Sequence, residues 1–163
     1  MWELPVLSLR ISTIGINTGQ ILYKEALAAN TTTITQTVFF PGVKPVQIYD
    51  AYVNPRKHSE FTGAEASCDN TPGGEFSAWD GYIKGKILEL DRARRILQEW
   101  ETTEWPKGYP PSTLELTFKA INDGTEITII HSNVPSHQAD SYRQGWVDYY
   151  WNPLKEYFGI RIK

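Results

Sequence analysis

The clearest pattern begins at Thr113. Leu114, Leu116, Phe118 and Ala120 alternate with Glu115, Thr117 and Lys119, the period-two signature of a strand buried on one face. Asn122-Asp123-Gly124 turns the chain, and Thr125–Ser132 alternates again. Upstream, Thr33–Phe40 is β-branched and alternating, and Pro41-Gly42 ends it. Glu75–Trp79 and Tyr82–Leu90 flank Asp80-Gly81, a dipeptide suited to a type I′ hairpin turn, whose central residues need positive φ. Arg94–Thr102 adds a further strand. There Ile96, Gln98 and Trp100 share one face, as Ile127, Ile129 and His131 do in their own segment.

Helical spacing appears in three places. Pro45 suits a first helical turn, Val46, Tyr49 and Val53 recur on one face, and Asn54-Pro55 stops the run. A second short helix is predicted over Arg56–Phe61, ending at Gly63. The longest runs from Ser136, a candidate N-cap after Pro135, to about Phe158. Tyr142, Trp146, Tyr149 or Tyr150, and Tyr157 form its aromatic stripe. Pro153 lacks the N–H that would bond the Tyr149 carbonyl, which predicts a kink. Gly145 costs ~1 kcal/mol against alanine inside a helix, so close packing or a cavity is expected beside it. Thr103–Ser112, with Trp105-Pro106 and Pro110-Pro111, is too long and stiff for a tight hairpin and is expected to form a lid or rim.

The order is strand, two short helices, several antiparallel strands and a long helix. This is an α+β sandwich in which a curved antiparallel sheet is covered by the C-terminal helix, over residues 31–163. Residues 1–30 read as an N-terminal extension. Val6–Ile16 offers an extra strand and Gln20–Ala29 a helix, packed on the domain or used in an oligomer contact. Lys24 and Glu25 before Ala26-Leu27-Ala28 argue against a secretory signal.

Composition narrows the classes further. At 163 residues and 40% apolar, the chain suits one core. A net charge of −3 with interspersed signs speaks against a basic nucleic-acid footprint and a polybasic membrane patch. No apolar run reaches the ~18 residues of a spanning helix, so no membrane insertion is expected. The single cysteine, Cys68, suggests a reducing, cytoplasmic setting. Aromatic residues reach 13%.

Several segments together carry a family likeness. They are Ile48-Tyr49-Asp50-Ala51, Phe61-Thr62-Gly63, Gly73-Gly74-Glu75-Phe76, Asp80-Gly81-Tyr82-Ile83-Lys84-Gly85 and Ile96-Leu97-Gln98-Glu99-Trp100. Gly124-Thr125, His131, Val134-Pro135, Gly145-Trp146, Tyr149-Tyr150-Trp151 and Pro153-Leu154-Lys155 come after them in order. The stretch from Thr33 to Phe158 resembles the homologues of the heat-shock protein 90 ATPase activator C-terminal domain, of the START/SRPBCC or helix-grip superfamily. The resemblance implies a curved antiparallel sheet gripping a C-terminal helix around a deep cavity. Superfamily members bind lipids, sterols, polyketides or other apolar ligands, and some are enzymes. The eukaryotic activator also has a second, chaperone-contacting domain, which 163 residues would not hold. A fold carries over on such a likeness more readily than a function.

Candidate chemistry is sparse. Cys68 would need a histidine beside it to act as a nucleophile, and His58, His131 and His137 lie at no recognised spacing from it. His131 and His137 match no metal motif, so no metal or cofactor is expected. Glu60, Asp69, Glu75 and Asp80 could supply an acid–base pair, but they suit turns and solvent better. Gly73-Gly74 is no phosphate loop, for neither lysine nor helix comes after it. The aromatic set is the strongest lead: Trp79, Trp100, Trp105, Tyr142, Trp146, Tyr149 and Tyr150 are candidates for a cavity wall, the alternative being a filled core. Gln98 and His131 are the polar groups expected to face inward with them. The expected function is non-enzymatic binding of a hydrophobic small molecule between sheet and helix. Alternatives are a co-chaperone contacting a heat-shock chaperone in a stress response, and a cavity enzyme of the SRPBCC type. The extension, with Trp151 and Phe158, offers a homodimer interface.

Overall fold

A computed structural model describes residues 18–161. The chain divides into two compact units, Met1–Thr31 and Thr32–Lys163. In the first, the described element is helix α1 (Thr18–Ala29), where the composition of Gln20–Ala29 predicts one. The strand expected over Val6–Ile16 lies outside the described residues.

The second unit is built on an open seven-stranded sheet with strand order β1-β7-β6-β5-β4-β3-β2. Its strands are β1 (Thr31–Pro41), β2 (Ser67–Cys68), β3 (Glu75–Ala78), β4 (Ile83–Asp91), β5 (Arg95–Thr102), β6 (Ser112–Ile121) and β7 (Gly124–Pro135). From β2 to β7 each strand pairs antiparallel with the next. Strand β1 lies beside β7, the last of them. Helices α2 (Pro45–Val53) and α3 (Pro55–Thr62) come directly after β1. Asn54 ends one and caps the other, its side chain accepting from the Lys57 N–H, with Pro55 at the first helical position.

Alternation decides which face is inside. Ile96, Gln98 and Trp100 of β5, Leu114, Leu116 and Phe118 of β6, and Ile127, Ile129 and His131 of β7 are all buried. Register makes them cross-strand neighbours: Gln98 opposite Leu114, Leu116 opposite Ile129, and Leu114 opposite His131. Each aliphatic side chain so enclosed contributes roughly 1.5–3 kcal/mol relative to exposure. On β4 a bulge between Ile87 and Glu89 bends the strand. Gly85 sits where a Cβ would lie 1.9 Å from the Glu99 carbonyl oxygen, so only glycine allows this approach of β4 to β5.

The β3–β4 hairpin is wider than the Asp80-Gly81 pair alone predicts. Ala78 and Ile83 are the last paired residues, leaving Trp79 and Tyr82 in the loop with the turn. Tyr82 N–H still bonds the Trp79 carbonyl, and Asp80 and Gly81 have the positive φ of a type I′ turn. Trp79 is itself at φ 54°, a region that bulky residues seldom occupy. The turn is tied down from outside the hairpin, because Glu65 N–H donates to the Asp80 carboxylate and Asp80 N–H to the Glu65 carbonyl. Strand β2, only two residues long, has too little pattern to be read from the sequence.

The helix expected from Ser136 to about Phe158, with a kink near Tyr149, is four segments. A 3₁₀ turn (Ser136–Gln138) precedes α4 (Ala139–Trp146), a π-helical turn (Val147–Trp151) and α5 (Asn152–Tyr157). Ser136 caps nothing, since β7 runs on to Pro135 and α4 begins after Gln138. Pro153 has no N–H for the Tyr149 carbonyl, and the ladder widens here, with Asn152 N–H reaching back to Val147. The extra residue in this turn rotates the later side chains to new faces. Tyr150, Trp151 and Leu154 are buried, whereas Tyr149 and Tyr157 are exposed. Tyr157 therefore leaves the buried stripe. Trp151, expected on the outside of a dimer face, is instead interior, its N–H donated to the Gln36 amide oxygen at 2.7 Å.

Candidate functional site

A cavity of about 380 Å³ opens at one end of the sheet, between the β3–β4 hairpin and the C-terminal helical segments. Trp79, Tyr82 and Ile83 come from the hairpin and Trp100 from β5. Ser141, Tyr142, Gly145 and Trp146 come from α4, and Tyr149 and Tyr150 from the π turn. Tyr149, 56% exposed, stands at its mouth with its ring edge-on to Trp79, centroids 5.3 Å apart. At the back, Trp100 meets Tyr142 edge-on at 5.2 Å, and Trp105 touches both, stacked on Tyr142 at 5.9 Å and edge-on to Trp100 at 6.0 Å.

Six of the candidates singled out by the sequence line this space: Trp79, Trp100, Tyr142, Trp146, Tyr149 and Tyr150. Three do not. Trp105 lies behind Tyr142 and gives its N–H to the Pro110 carbonyl at 3.0 Å, bracing the Thr103–Pro111 connection. Gln98 is buried beneath α2, where the Tyr52 hydroxyl donates to its amide oxygen at 2.8 Å. His131 is sealed behind Trp100 and Trp146.

The bonding around His131 defines its state. Trp146 N–H donates to Nδ1 at 3.2 Å, so Nε2 carries the proton and gives it to Ser112 Oγ at 2.8 Å. Ser112 in turn donates to the Trp100 carbonyl at 2.5 Å. Burial pushes the His131 pKa down to about 3, so the ring is neutral. Its work is to hold Trp100 and Trp146 in place.

Tyr82, Ser141, Ile83 and Gly145 complete the lining; Gly145 is the position beside which close packing or a cavity is expected, and the other three were not among the candidates. For Ser141 and Gly145 the signal was present: 141, 145 and 149 form a second row at helical spacing beside 142, 146 and 150. The Tyr82 hydroxyl donates to the Glu104 carboxylate at 2.5 Å. The Tyr142 hydroxyl is bonded to Thr102 at 2.7 Å and to Gln138 at 3.0 Å. Burial raises the pKa of Tyr82, Tyr142 and Tyr150 above the ordinary phenol value, so all three stay neutral. Among the described residues no charged side chain lines the cavity.

The other weighed chemistries find no support in the geometry. Cys68 and His58 do line a common recess, with room of about 10 Å³. Yet burial, then the charge of Asp69, pushes the thiol up to about 11, and the thiol donates to the Asn70 side chain. His58 is lowered by burial, and its two ring nitrogens already face the Tyr52 carbonyl at 2.8 Å and the Tyr150 hydroxyl at 3.2 Å. Neither partner is activated. Glu60 pairs with Arg56 and accepts from the Tyr157 hydroxyl, Asp69 accepts from Thr71, and Asp80 anchors its turn. No group of three or more metal-ligating side chains occurs among the described residues. No helix among them is long and apolar enough to cross a membrane.

An open antiparallel sheet, two short early helices and a covering C-terminal helix define a helix-grip domain. Residues 43–159 match the family model described as "Activator of Hsp90 ATPase homolog 1-like protein", and the chain belongs to that family. It is 30% identical over 115 residues to the human "Activator of 90 kDa heat shock protein ATPase homolog 1", a match covering 71% of this chain and 34% of that protein. An uncharacterised Schizosaccharomyces pombe protein is 26% identical over 149 residues, 91% of this chain and 44% of its own. The chain thus spans about a third to under a half of these longer relatives. Among solved structures, an HSP90 activator from Plasmodium falciparum superposes with TM-score 0.69 at 21% identity, over 82% of this chain and 99% of that one. The Aha1 dimer from Colwellia psychrerythraea gives TM-score 0.65 at 12% identity, over 76% and 94%. At those identities the two structures speak for the fold.

Proposed function

We propose that this domain binds an apolar small molecule in the cavity between the β3–β4 hairpin and the C-terminal helix, without transforming it. The observation that carries this reading is the cavity itself: about 380 Å³, walled largely by aromatic side chains. A non-catalytic role is supported by the states of Cys68 and His58, which offer no activated nucleophile, and by carboxylates that lie outside the lining. Native mass spectrometry of freshly purified protein, before and after mild organic extraction, tests it. Co-purified small molecules that leave on extraction are expected. A clean apo mass, with tryptophan fluorescence unmoved by fatty acids, sterols and aromatic compounds, would sink the reading.

A second reading is favoured by the relatives' names: a cytoplasmic co-chaperone that contacts an Hsp90-type chaperone by its surface. Titration into such a chaperone, with its ATPase followed, separates the two. Stimulation that survives filling of the cavity would make the surface the active part. Self-association, the state in which the Colwellia protein was solved, is checked by analytical ultracentrifugation.

A further inference from the structure

Seven of the ten residues lining the cavity are aromatic, and none of the ten carries a charge. Neighbouring rings in the lining stand nearly perpendicular: Trp79 to Tyr149 at 73° and Trp100 to Tyr142 at 85°. Rings set at such angles surround a guest from more than one side. The face of an aromatic ring is its negative region, so an enclosure of this kind attracts positive charge.

One carboxylate lies beside the lining. Glu104, exposed on the connection between β5 and β6, accepts a hydrogen bond from the Tyr82 hydroxyl at 2.5 Å. Its backbone is tied to the same end of the cavity, because Gln138 donates to the Glu104 carbonyl and accepts from the Tyr142 hydroxyl. Among the described residues no Lys, Arg or His lies within ion-pair distance of this carboxylate, whereas Glu101 and Asp140 are paired with Lys84 and Arg143. An uncompensated negative charge therefore adjoins a ring that lines the cavity.

The oxygens nearby narrow the kind of cation. A primary ammonium brings three N–H groups, each needing an acceptor once it leaves water. The hydroxyls of Tyr82 and Tyr142 are already bonded to Glu104, Thr102 and Gln138, and that of Tyr150 to the His58 ring. A fully methylated nitrogen keeps the charge, has no N–H to satisfy and turns an apolar surface to the rings. An anion would find no positive side chain on the lining and a carboxylate next to it.

We infer that the cavity's ligand is an apolar molecule ending in a methylated ammonium, held among the aromatic rings with its positive end on the Tyr82 side, toward Glu104. This rests on the cavity being a ligand site.

The test pairs benzyltrimethylammonium with its uncharged carbon isostere, neopentylbenzene, titrated by calorimetry into the full chain and into Glu104→Gln and Tyr149→Leu. Both positions are exposed, so the variants are expected to fold. The cation should bind about tenfold tighter than the isostere, although water holds the cation more strongly. Glu104→Gln can still accept the Tyr82 bond, yet should weaken the cation by about threefold and leave the isostere unchanged. Added salt should act in the same direction. Tyr149→Leu removes one ring at the mouth and should cost the cation more than the isostere. An isostere that binds as tightly as the cation, or tighter, would overturn the ammonium and leave the cavity reading standing. A cation preference untouched by Glu104→Gln would overturn the part given to the carboxylate. If neither probe binds up to its solubility limit, both readings fall.

Discussion

His131 illustrates how one buried residue sets a pH dependence. Its ring is neutral in the fold with a pKa of about 3, whereas the unfolded chain takes up a proton near 6.5. Between those values the unfolded state binds a proton that the folded state refuses. Stability is therefore complete above the higher value and is lost as pH falls through the window, by up to about 1.4 kcal/mol per pH unit. His58, also lowered by burial, acts in the same sense. Urea unfolding at stepped pH should show the decline, and His131→Phe should flatten it. That variant should also lose about 1–3 kcal/mol at neutral pH, because Trp146 N–H is left without an acceptor. Gly145 should behave in the opposite way. A Cβ there would touch Tyr149 at an ordinary 3.7 Å, so Gly145→Ala is expected to stabilise by about 1 kcal/mol while narrowing the cavity. Thermal unfolding should rise and probe affinity fall in the same protein, a pairing that a merely structural glycine would not produce.

Among the elements, the pair β4–β5 and the broken helix position the site. Gly85 faces Trp100 across the ladder, and no side chain fits between it and the Glu99 carbonyl. Gly85→Ala is expected to cost about 3 kcal/mol or more and to shift Trp100 with the strand. Urea denaturation would measure the loss, and near-ultraviolet circular dichroism the displaced indole. Strand phase was legible because β5, β6 and β7 alternate over their buried stretch, which placed Trp100, Gln98 and His131 inward together. The helix was less legible. Pro153 signals a break near Tyr149, but a kink and a π turn send the later residues to different faces, and no local pattern distinguishes them. Tyr149 and Tyr150, adjacent in sequence, consequently take opposite exposures while lining the same cavity.

For the domain as a whole, ligand binding and stability are linked. A molecule that binds only the folded state at a hundred times its dissociation constant should add about 2.7 kcal/mol of stability. A thermal-shift titration with fatty acids, sterols and aromatic compounds checks this, and a melting temperature independent of the concentration of every one of them would contradict binding to the native cavity. Read alone, the chain determined the order of its longer strands, the inward face of the sheet and the aromatic character of its interior, because these arise from local alternation, turn chemistry and residue type. Tertiary structure alone decided where the interior stays open. Gln98, Trp105 and His131 share the phase or composition of wall residues, yet Tyr52, Pro110, and the pair Ser112 and Trp146 claim their polar atoms. The indole N–H of Trp100 finds no such partner among the described residues. Which donors find partners depends on contacts between residues far apart in the chain, and these exist only once the hairpin, the sheet and the π turn have come together.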